Sequence, residues 1–119
     1  MNRKGPSFDK SPAALVDRFE WLVPRLAPDV ERRKMFGYPA LFVGGNLATG
    51  LFGSEWMIRL PDAEREAVFA LPGGGPFEPM PGRAMKGYAL LPPAVVADDA
   101  ELEAWVLRAI EHVRAMPAK

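Results

Sequence analysis

The sequence predicts an α+β domain in which helices flank two groups of short strands, in the order α-β-β-β-α-β-β-α. Apolar residues recur at helical spacing near both ends of the chain, whereas short apolar runs separated by glycine, proline or asparagine fill its middle. With 119 residues, the chain has the usual size of one domain. We therefore expect a single domain over residues 1–119, with residues 1–11 as a flexible lead-in.

The first helix is predicted to begin at Ser11-Pro12, with the serine as the cap and the proline at the first helical position. Pro24 removes one helical hydrogen bond, so the helix either kinks there or ends near Val23. The position of Leu26 keeps the helical register and favours the kink. The predicted buried stripe consists of Leu15, Val16, Phe19, Leu22, Val23 and Leu26.

The middle of the chain, residues 35–60, has the pattern of an antiparallel meander. Gly44-Gly45-Asn46 supplies residues that tolerate positive φ, which a tight hairpin requires. Gly53-Ser54-Glu55 predicts a second turn. The last run alternates with a period of two, so one face is expected to carry Trp56, Ile58 and Leu60, and the other Met57 and Arg59.

The second half of the sequence predicts a short helix over 63–71 capped by Asp62. Two further strands are expected over 77–80 and 86–91, joined by a loop at 81–83. Asp98 or Asp99 is expected to cap a final helix that runs to about Ala115. Its apolar stripe is Leu102, Trp105, Val106, Ala109, Ile110 and Val113.

Charge and composition exclude several classes of function. Fifteen basic residues balance fifteen acidic ones, which argues against direct DNA binding by this domain alone, because that affinity rests on neutralised phosphates. The absence of cysteine excludes disulfides, thiolate nucleophiles, cysteine-based zinc sites and iron–sulfur clusters. No signal-peptide core and no apolar run of about 20 residues occurs, so we expect a cytoplasmic protein without membrane contact.

The individual motifs form no catalytic constellation. Gly73-Gly74-Gly75 lacks the Gly-Lys-Ser/Thr helix start of a phosphate loop and is interpreted as a flexible connection. His112 is the only histidine and is expected to be half-buried beside Trp105. None of the serines lies in a Gly-x-Ser-x-Gly setting. We therefore expect no catalytic residue, no metal and no cofactor.

The basic residues are the candidates for contact with a ligand or partner. Arg33 and Lys34 lead into the first strand, Arg83 and Lys86 flank the last predicted hairpin, and Tyr88 follows. If these segments are neighbours, they form a cationic rim suited to a small anionic ligand or to an acidic partner surface. Alternatively, the charges are solvated and keep strand edges from aggregating.

Trp21 is the candidate interface residue. On a helical projection it lies opposite the buried stripe, beside Ala14 and Asp17, and Leu107 likewise lies off the buried face of the last helix. Because exposed aromatic residues dominate binding hot spots, we predict that this face mediates self-association or binds a protein partner. The alternative is that the N-terminal arm or Phe8 covers the indole.

Five short motifs occur in a fixed order: Arg33-Lys34-Met35-Phe36-Gly37, Gly45-Asn46, Pro76-Phe77, Met85-Lys86-Gly87-Tyr88 and Leu91-Pro92. Together they resemble the N-terminal domain of TfoX/Sxy-type competence regulators and their free-standing relatives, over about residues 13–116. The resemblance implies two layers, with a curved antiparallel sheet of about five strands packed by helices. It also implies a regulatory rather than enzymatic context, and it carries no catalytic residues.

The sequence also departs from those regulators. They carry a second, C-terminal domain of helix-hairpin-helix character, whereas this sequence matches the first domain, and Tyr38-Pro39 replaces a glycine usual after Met-Phe-Gly. A DNA-related role is therefore not carried over. We expect a non-enzymatic regulatory or protein-interaction domain. The alternatives are a domain that binds a small anionic ligand at the cationic rim and an enzyme that uses Arg83, Lys86 and Tyr88.

Overall fold

The computed structural model describes residues 10–30 and 32–119 of the chain. Within these residues, six strands form one antiparallel sheet in the spatial order β1-β2-β3-β4-β6-β5, packed by four helices. The strands are β1 (Arg32–Met35), β2 (Tyr38–Val43), β3 (Asn46–Phe52), β4 (Glu55–Arg59), β5 (Gly75–Pro76) and β6 (Tyr88–Leu90). The helices are α1 (Ala13–Leu26), α2 (Asp62–Phe69), α3 (Pro93–Val96) and α4 (Asp99–Arg114).

This architecture confirms the predicted α+β class and the sheet packed by helices. Two details differ from the prediction, since the described chain has six strands rather than about five and carries the short additional helix α3. Both differences come from very short elements, which leave little periodicity in a sequence. The predicted lead-in lies outside the described residues at positions 1–9. Its last residue, Ser11, donates a hydrogen bond from its hydroxyl to the Gly53 carbonyl oxygen over 2.6 Å.

The β2–β3 hairpin confirms the predicted glycine turn. Gly44 and Gly45 have φ values of 59° and 85°, and Val43 pairs directly with Asn46. A two-residue turn with both φ angles positive matches the right-handed twist of the flanking strands. The C-terminal residues lie against this turn, because the Asn46 side-chain amide donates to the Pro117 carbonyl oxygen over 3.0 Å.

One face of the sheet is covered by α1 and α4. Phe19 of α1 stacks on Trp56 of β4 with ring centroids 5.2 Å apart, and both side chains are buried. The stripes predicted for the two helices pack here, with Trp105 only half-buried. Helix α1 continues through Pro24 to Leu26, as the register of the apolar residues predicts.

The other face of the sheet is covered by residues 77–86, and here the predicted strand over 77–80 is wrong. The strand is the short β5, which pairs with β6, while Met80 and Arg83 form an isolated bridge. Phe77 is fully buried against a second apolar cluster formed by Ala40, Leu47, Met57 and Tyr88. Pro79 and Pro81 have no backbone N–H to donate, so the segment forms no regular strand. Besides the isolated bridge, the Met85 amide donates to the Phe77 carbonyl oxygen over 2.8 Å.

The helix caps are only partly as predicted. Asp98 is confirmed as the cap of α4, because its carboxylate accepts a hydrogen bond from the Glu101 amide over 3.0 Å. Ser11 and Asp62 are not caps, since the residues at the cap positions are Pro12 and Pro61. The Asp62 carboxylate instead accepts from the Arg65 guanidinium over 2.7 Å.

Candidate functional site

The exposed sides of α1 and α4 lie next to each other, because one ion pair links α1 to α4 and a second links the residues after α1 to the end of α4. The Arg18 guanidinium lies 2.5 Å from the Asp99 carboxylate near their starts, and that of Arg114 lies 3.0 Å from Asp29 near their ends. The hydrogen bond from Arg114 holds the pKa of the Asp29 carboxyl below its usual range. Both pairs are partly or largely exposed, so they orient the helices more than they stabilise them.

Trp21 lies at the centre of this surface, as its position in the helical projection predicts. Its side chain is 56% exposed, which confirms that most of the indole faces solvent. The Arg25 guanidinium lies over the ring at 4.6 Å from its centroid. A shallow hollow beside the indole includes Glu103 of α4. Leu107, also exposed, follows Glu103 by one turn on the same side of that helix.

We name this surface the α1–α4 face and define it by Asp17, Trp21, Arg25, Glu103 and Leu107. On α1, an acid, an aromatic residue and a base follow each other at intervals of four residues, and all three are exposed. This spacing forms one inclined ridge along a helix surface. The face therefore presents an apolar centre with opposite charges at its two ends.

A second candidate site is a groove between α2, α4 and the loop that precedes β6. It has a volume of about 530 Å³, and its charged or titratable lining residues are Arg59, Asp62, Arg65, Lys86 and His112. We name it the basic groove. Lys86 is the predicted contact residue that the structure brings into it. The sequence does not predict Arg59 and Arg65 as contacts. Arg59 is brought to this site by the pairing of β4 with β6, and these two strands are separated in the chain by α2.

Tyr88, another predicted contact residue, supports this groove from inside the domain. Its hydroxyl donates to the Leu47 carbonyl oxygen over 3.0 Å, and its side chain is buried. Burial raises the pKa of the Tyr88 phenol above its usual range. The Arg59 guanidinium lies 5.4 Å from the centroid of the ring. Tyr88 therefore fixes the position of a neighbouring cation, while its own hydroxyl points to a buried partner.

The remaining predicted contact residues lie elsewhere. Arg33 and Lys34 belong to β1, at the opposite end of the strand order from β5 and β6. The Arg33 guanidinium lies over the ring of Phe42, at 4.8 Å from its centroid. Lys34 lines a separate hollow beside Tyr38. Arg83 lies in the exposed turn over the second face of the sheet, where its amide donates to the Met80 carbonyl oxygen.

His112 is half-buried at the inner wall of the basic groove, as the sequence predicts. Desolvation lowers the pKa of its imidazole below the ordinary value of 6.5, and the positive charges of Arg59 and Arg65 lower it further. The carboxylate of Glu64 acts in the opposite direction. The imidazole is therefore sensitive to the charge inside the groove, because an added anion would oppose the effect of both arginines.

A third hollow is more apolar and lies between the start of α1 and α3. It has a volume of about 610 Å³ and includes Leu15, Arg18, Glu55, Trp56 and Val96 in its wall. Its one arginine, Arg18, donates to the Val96 carbonyl oxygen over 2.7 Å and to the Asp99 carboxylate over 2.5 Å. The position of Glu55 raises the pKa of its carboxyl through desolvation. The wall of this hollow therefore contains one cation and one acid, Arg18 and Glu55, among mainly apolar residues.

The conformation of the chain at residues 73–75 explains why glycine occurs there, without a role in binding phosphate. Gly73 adopts a φ of 87°, and a side chain at Gly74 would collide with the Val68 carbonyl oxygen. The run leads into the short strand β5, which begins at Gly75, rather than into the helix that a phosphate loop requires. Among the described residues, no group of three or more acidic or histidine side chains could hold a metal ion. No helix in the described ranges is long and apolar enough to cross a bilayer.

Most of the chain matches the model of a known protein family. Residues 22–113, which include β1 to β6 and most of α4, match the model of the TfoX N-terminal domain. Comparisons with curated proteins and with solved structures gave no match.

Proposed function

Because this chain belongs to the TfoX N-terminal domain family, a regulatory or interaction-type family and not an enzyme family, we propose that it acts as a non-enzymatic interaction domain. Its partner in this proposal is a second copy of the same chain, bound through the α1–α4 face. Regulation would then operate through the assembled dimer. The exposure of Trp21 at the centre of that face is the observation that carries the proposal.

An exposed tryptophan favours an interface for a physical reason. Its ring buries a large apolar area when it is covered, at a small loss of side-chain freedom. Trp is also among the residues most enriched at binding hot spots. Here the Arg25 guanidinium lies over the face of the indole, 4.6 Å from the ring centroid. The anchor is therefore partly ordered before a partner binds, which reduces the entropic cost of association.

The arrangement of charges on the face favours a second copy as the partner. Asp17 and Arg25 lie four residues before and four residues after Trp21. A two-fold axis that passes near Trp21 with the two α1 helices antiparallel would bring each Asp17 opposite the Arg25 of the other copy. A dimer of this kind uses the same patch on both subunits, so the patch must be self-complementary. This ridge has that property.

The net charge of the chain supports the same partner. Equal numbers of acidic and basic residues give a formal charge of zero, so two copies approach without long-range repulsion. The same balance gives little attraction for the phosphates of DNA. In this proposal the domain therefore binds protein, and any effect on transcription would pass through that protein contact.

Sedimentation equilibrium of Trp21→Ala and of three charge variants tests the proposal. We expect Trp21→Ala to weaken dimerisation at least tenfold, because a hot-spot truncation removes about 2 kcal/mol or more. Asp17→Arg and Arg25→Asp should each weaken it as well, because each places like charges opposite one another. The double variant Asp17→Arg/Arg25→Asp should recover most of the lost affinity, because it restores the opposite pairs.

Glu78→Arg provides the matched control, since this exposed carboxylate lies on the segment that covers the other face of the sheet. It should leave the dimerisation constant unchanged. A wild type that stays monomeric at every concentration would contradict the proposal. So would a double charge variant that is weaker than both single variants, because repulsion across the two-fold axis would then not explain the losses.

A further inference from the structure

The basic groove is a binding site separate from the α1–α4 face. We propose that it binds the phosphate group of a small phosphorylated molecule, with Arg59, Arg65 and Lys86 as the contacting residues. The groove has a volume of about 530 Å³, which lies in the range of small-molecule sites. Binding of a ligand in this groove does not require dimerisation.

Arg59 is a cation whose position is fixed without the help of an acid. Its guanidinium lies over the Tyr88 ring, and its side chain passes beside Gly87, whose φ of 93° suits glycine. In the described part of the chain, Arg59 forms no ion pair. A guanidinium that rests on an aromatic ring retains free N–H donors, and their fork matches the oxygen atoms of a phosphate.

Arg65 is anchored on one side and open to the groove on the other. One of its terminal nitrogens donates to the Leu60 carbonyl oxygen over 2.8 Å and the other to Asp62 over 2.7 Å. Asp62 is 93% exposed, so water weakens its hold on the arginine. Two bonds of this kind leave donors of the guanidinium unused. Arg65 therefore supplies a second, preoriented positive charge.

Lys86 completes the set as an exposed cation at the rim. It is exposed and, among the residues that the structure describes, pairs with no carboxylate. A lysine on a flexible stem can close over a bound anion as a point charge, whereas the arginines define its orientation. Three cations against the single lining carboxylate of Asp62 leave the groove with an excess of positive charge.

A compact anion fits this groove better than a nucleic-acid backbone does. The cations converge on one hollow, and the acids Asp62 and Glu64 lie close beside them. A strand of nucleic acid needs a longer run of positive charge that follows its phosphates. Of the other predicted basic contacts, Arg33 and Lys34 lie on the strand at the other end of the sheet order, and Arg83 lies in the exposed turn over the second face of the sheet, outside the groove. One phosphate group is therefore the ligand that the charges match.

His112 gives a direct way to test the inference, because a single histidine yields one set of imidazole resonances. Arg59, Arg65 and Glu64 act on the pKa of its imidazole, and Asp62 and Lys86 line the same groove. At low ionic strength and about pH 7.5, we expect inorganic phosphate or glycerol 3-phosphate to shift these resonances in a saturable manner. Either ligand should also raise the pKa of His112, because its negative charge opposes that of the two arginines.

Lys86→Ala is the decisive variant and Lys34→Ala is its matched control. Each removes one exposed lysine, but Lys86 lines the groove, whereas Lys34 lies in β1 at the other end of the sheet. We expect at least a tenfold rise in Kd for Lys86→Ala and no change for Lys34→Ala. Lys86→Glu serves as the second variant and should abolish the saturable shift. Tighter binding of the ester than of inorganic phosphate would identify a phosphorylated metabolite as the source.

Three results would overturn the inference. The first is a shift of the His112 resonances that sodium chloride reproduces at the same ionic strength. The second is an equal loss of binding in Lys86→Ala and Lys34→Ala, which would indicate diffuse attraction. The third is saturation of the same resonances by a short single-stranded oligonucleotide at a lower concentration of phosphate groups than inorganic phosphate or glycerol 3-phosphate needs. This result would make the ligand a nucleic acid.

Discussion

Replacing Trp56 by alanine is expected to lower the free energy of unfolding by about 3–5 kcal/mol, the range for a large aromatic residue in a core. The indole is 1% exposed and stacks on Phe19, so it joins β4 to α1. Its N–H also donates to the Thr49 hydroxyl over 2.9 Å, and that hydroxyl donates to the Met57 carbonyl oxygen over 2.8 Å. Truncation therefore removes packing and one buried hydrogen bond together.

Trp56→Phe separates these two contributions. It keeps an aromatic ring against Phe19 but removes the N–H, while the Thr49 hydroxyl still has its bond to Met57. The loss should therefore be clearly smaller than for alanine. Urea unfolding followed by circular dichroism measures both variants. A loss below about 1 kcal/mol for Trp56→Ala would mean that α1 does not depend on this contact.

The second large effect is expected for Gly74→Ala, which should lower the free energy of unfolding by more than about 2 kcal/mol, since overpacking forces the backbone to move. A Cβ atom at this position would overlap the Val68 carbonyl oxygen. The Gly74 amide donates to the Leu71 carbonyl oxygen over 2.9 Å, so the close approach belongs to the turn that ends α2. This turn cannot open without the loss of that bond.

Gly75→Ala is the matched control, because a Cβ atom there meets nothing within 4 Å and its φ is not in the left-handed region. It should be neutral, or more stable by up to about 1 kcal/mol through the loss of freedom in the unfolded chain. Thermal unfolding of both variants separates the two cases. Equal stability of Gly74→Ala and Gly75→Ala would refute the structural explanation of this glycine run.

The sequence predicts well the features that depend on local pattern. Helix α4 has both a cap at Asp98 and a long apolar stripe, and the β2–β3 turn has two glycines with positive φ. The prediction for the segment around Phe77 is wrong, because its structure depends on contacts with distant parts of the chain rather than on local pattern. Its apolar residues resemble a strand, but they pack on a sheet face that is formed by residues far away in the chain. The hydroxyl of Ser11 similarly bonds to Gly53, forty-two residues away.

The candidate sites also differ in whether local pattern or contacts between distant parts of the chain define them. Trp21 was identified from the period of a single helix, and its exposure confirms that reading of the pattern. The basic groove was identified only through Lys86, because its other members come from three separate elements. The alternation in β4 did place Arg59 on the face opposite Trp56. The sequence pattern could not predict that Arg59 pairs with Tyr88, because the two residues are separated in the chain by α2.

The central claim is that two copies associate through the α1–α4 face with their α1 helices antiparallel. The chain has no cysteine, so nitroxide labels can be attached to single cysteines introduced at Ala14 or at Glu78, both exposed. Ala14 lies seven residues before Trp21. With a rise of 1.5 Å per residue and helices about 8–10 Å apart, the two Ala14 backbone positions should lie about 20–25 Å apart.

Pulsed dipolar spectroscopy measures this distance between the two copies. We expect a defined distance for the Ala14 label, close to that value once the length of the label is included, and a longer distance for the label at Glu78. A dimer in which the Glu78 labels are closer than the Ala14 labels would contradict the claim, because the copies would then meet through the opposite side of the sheet.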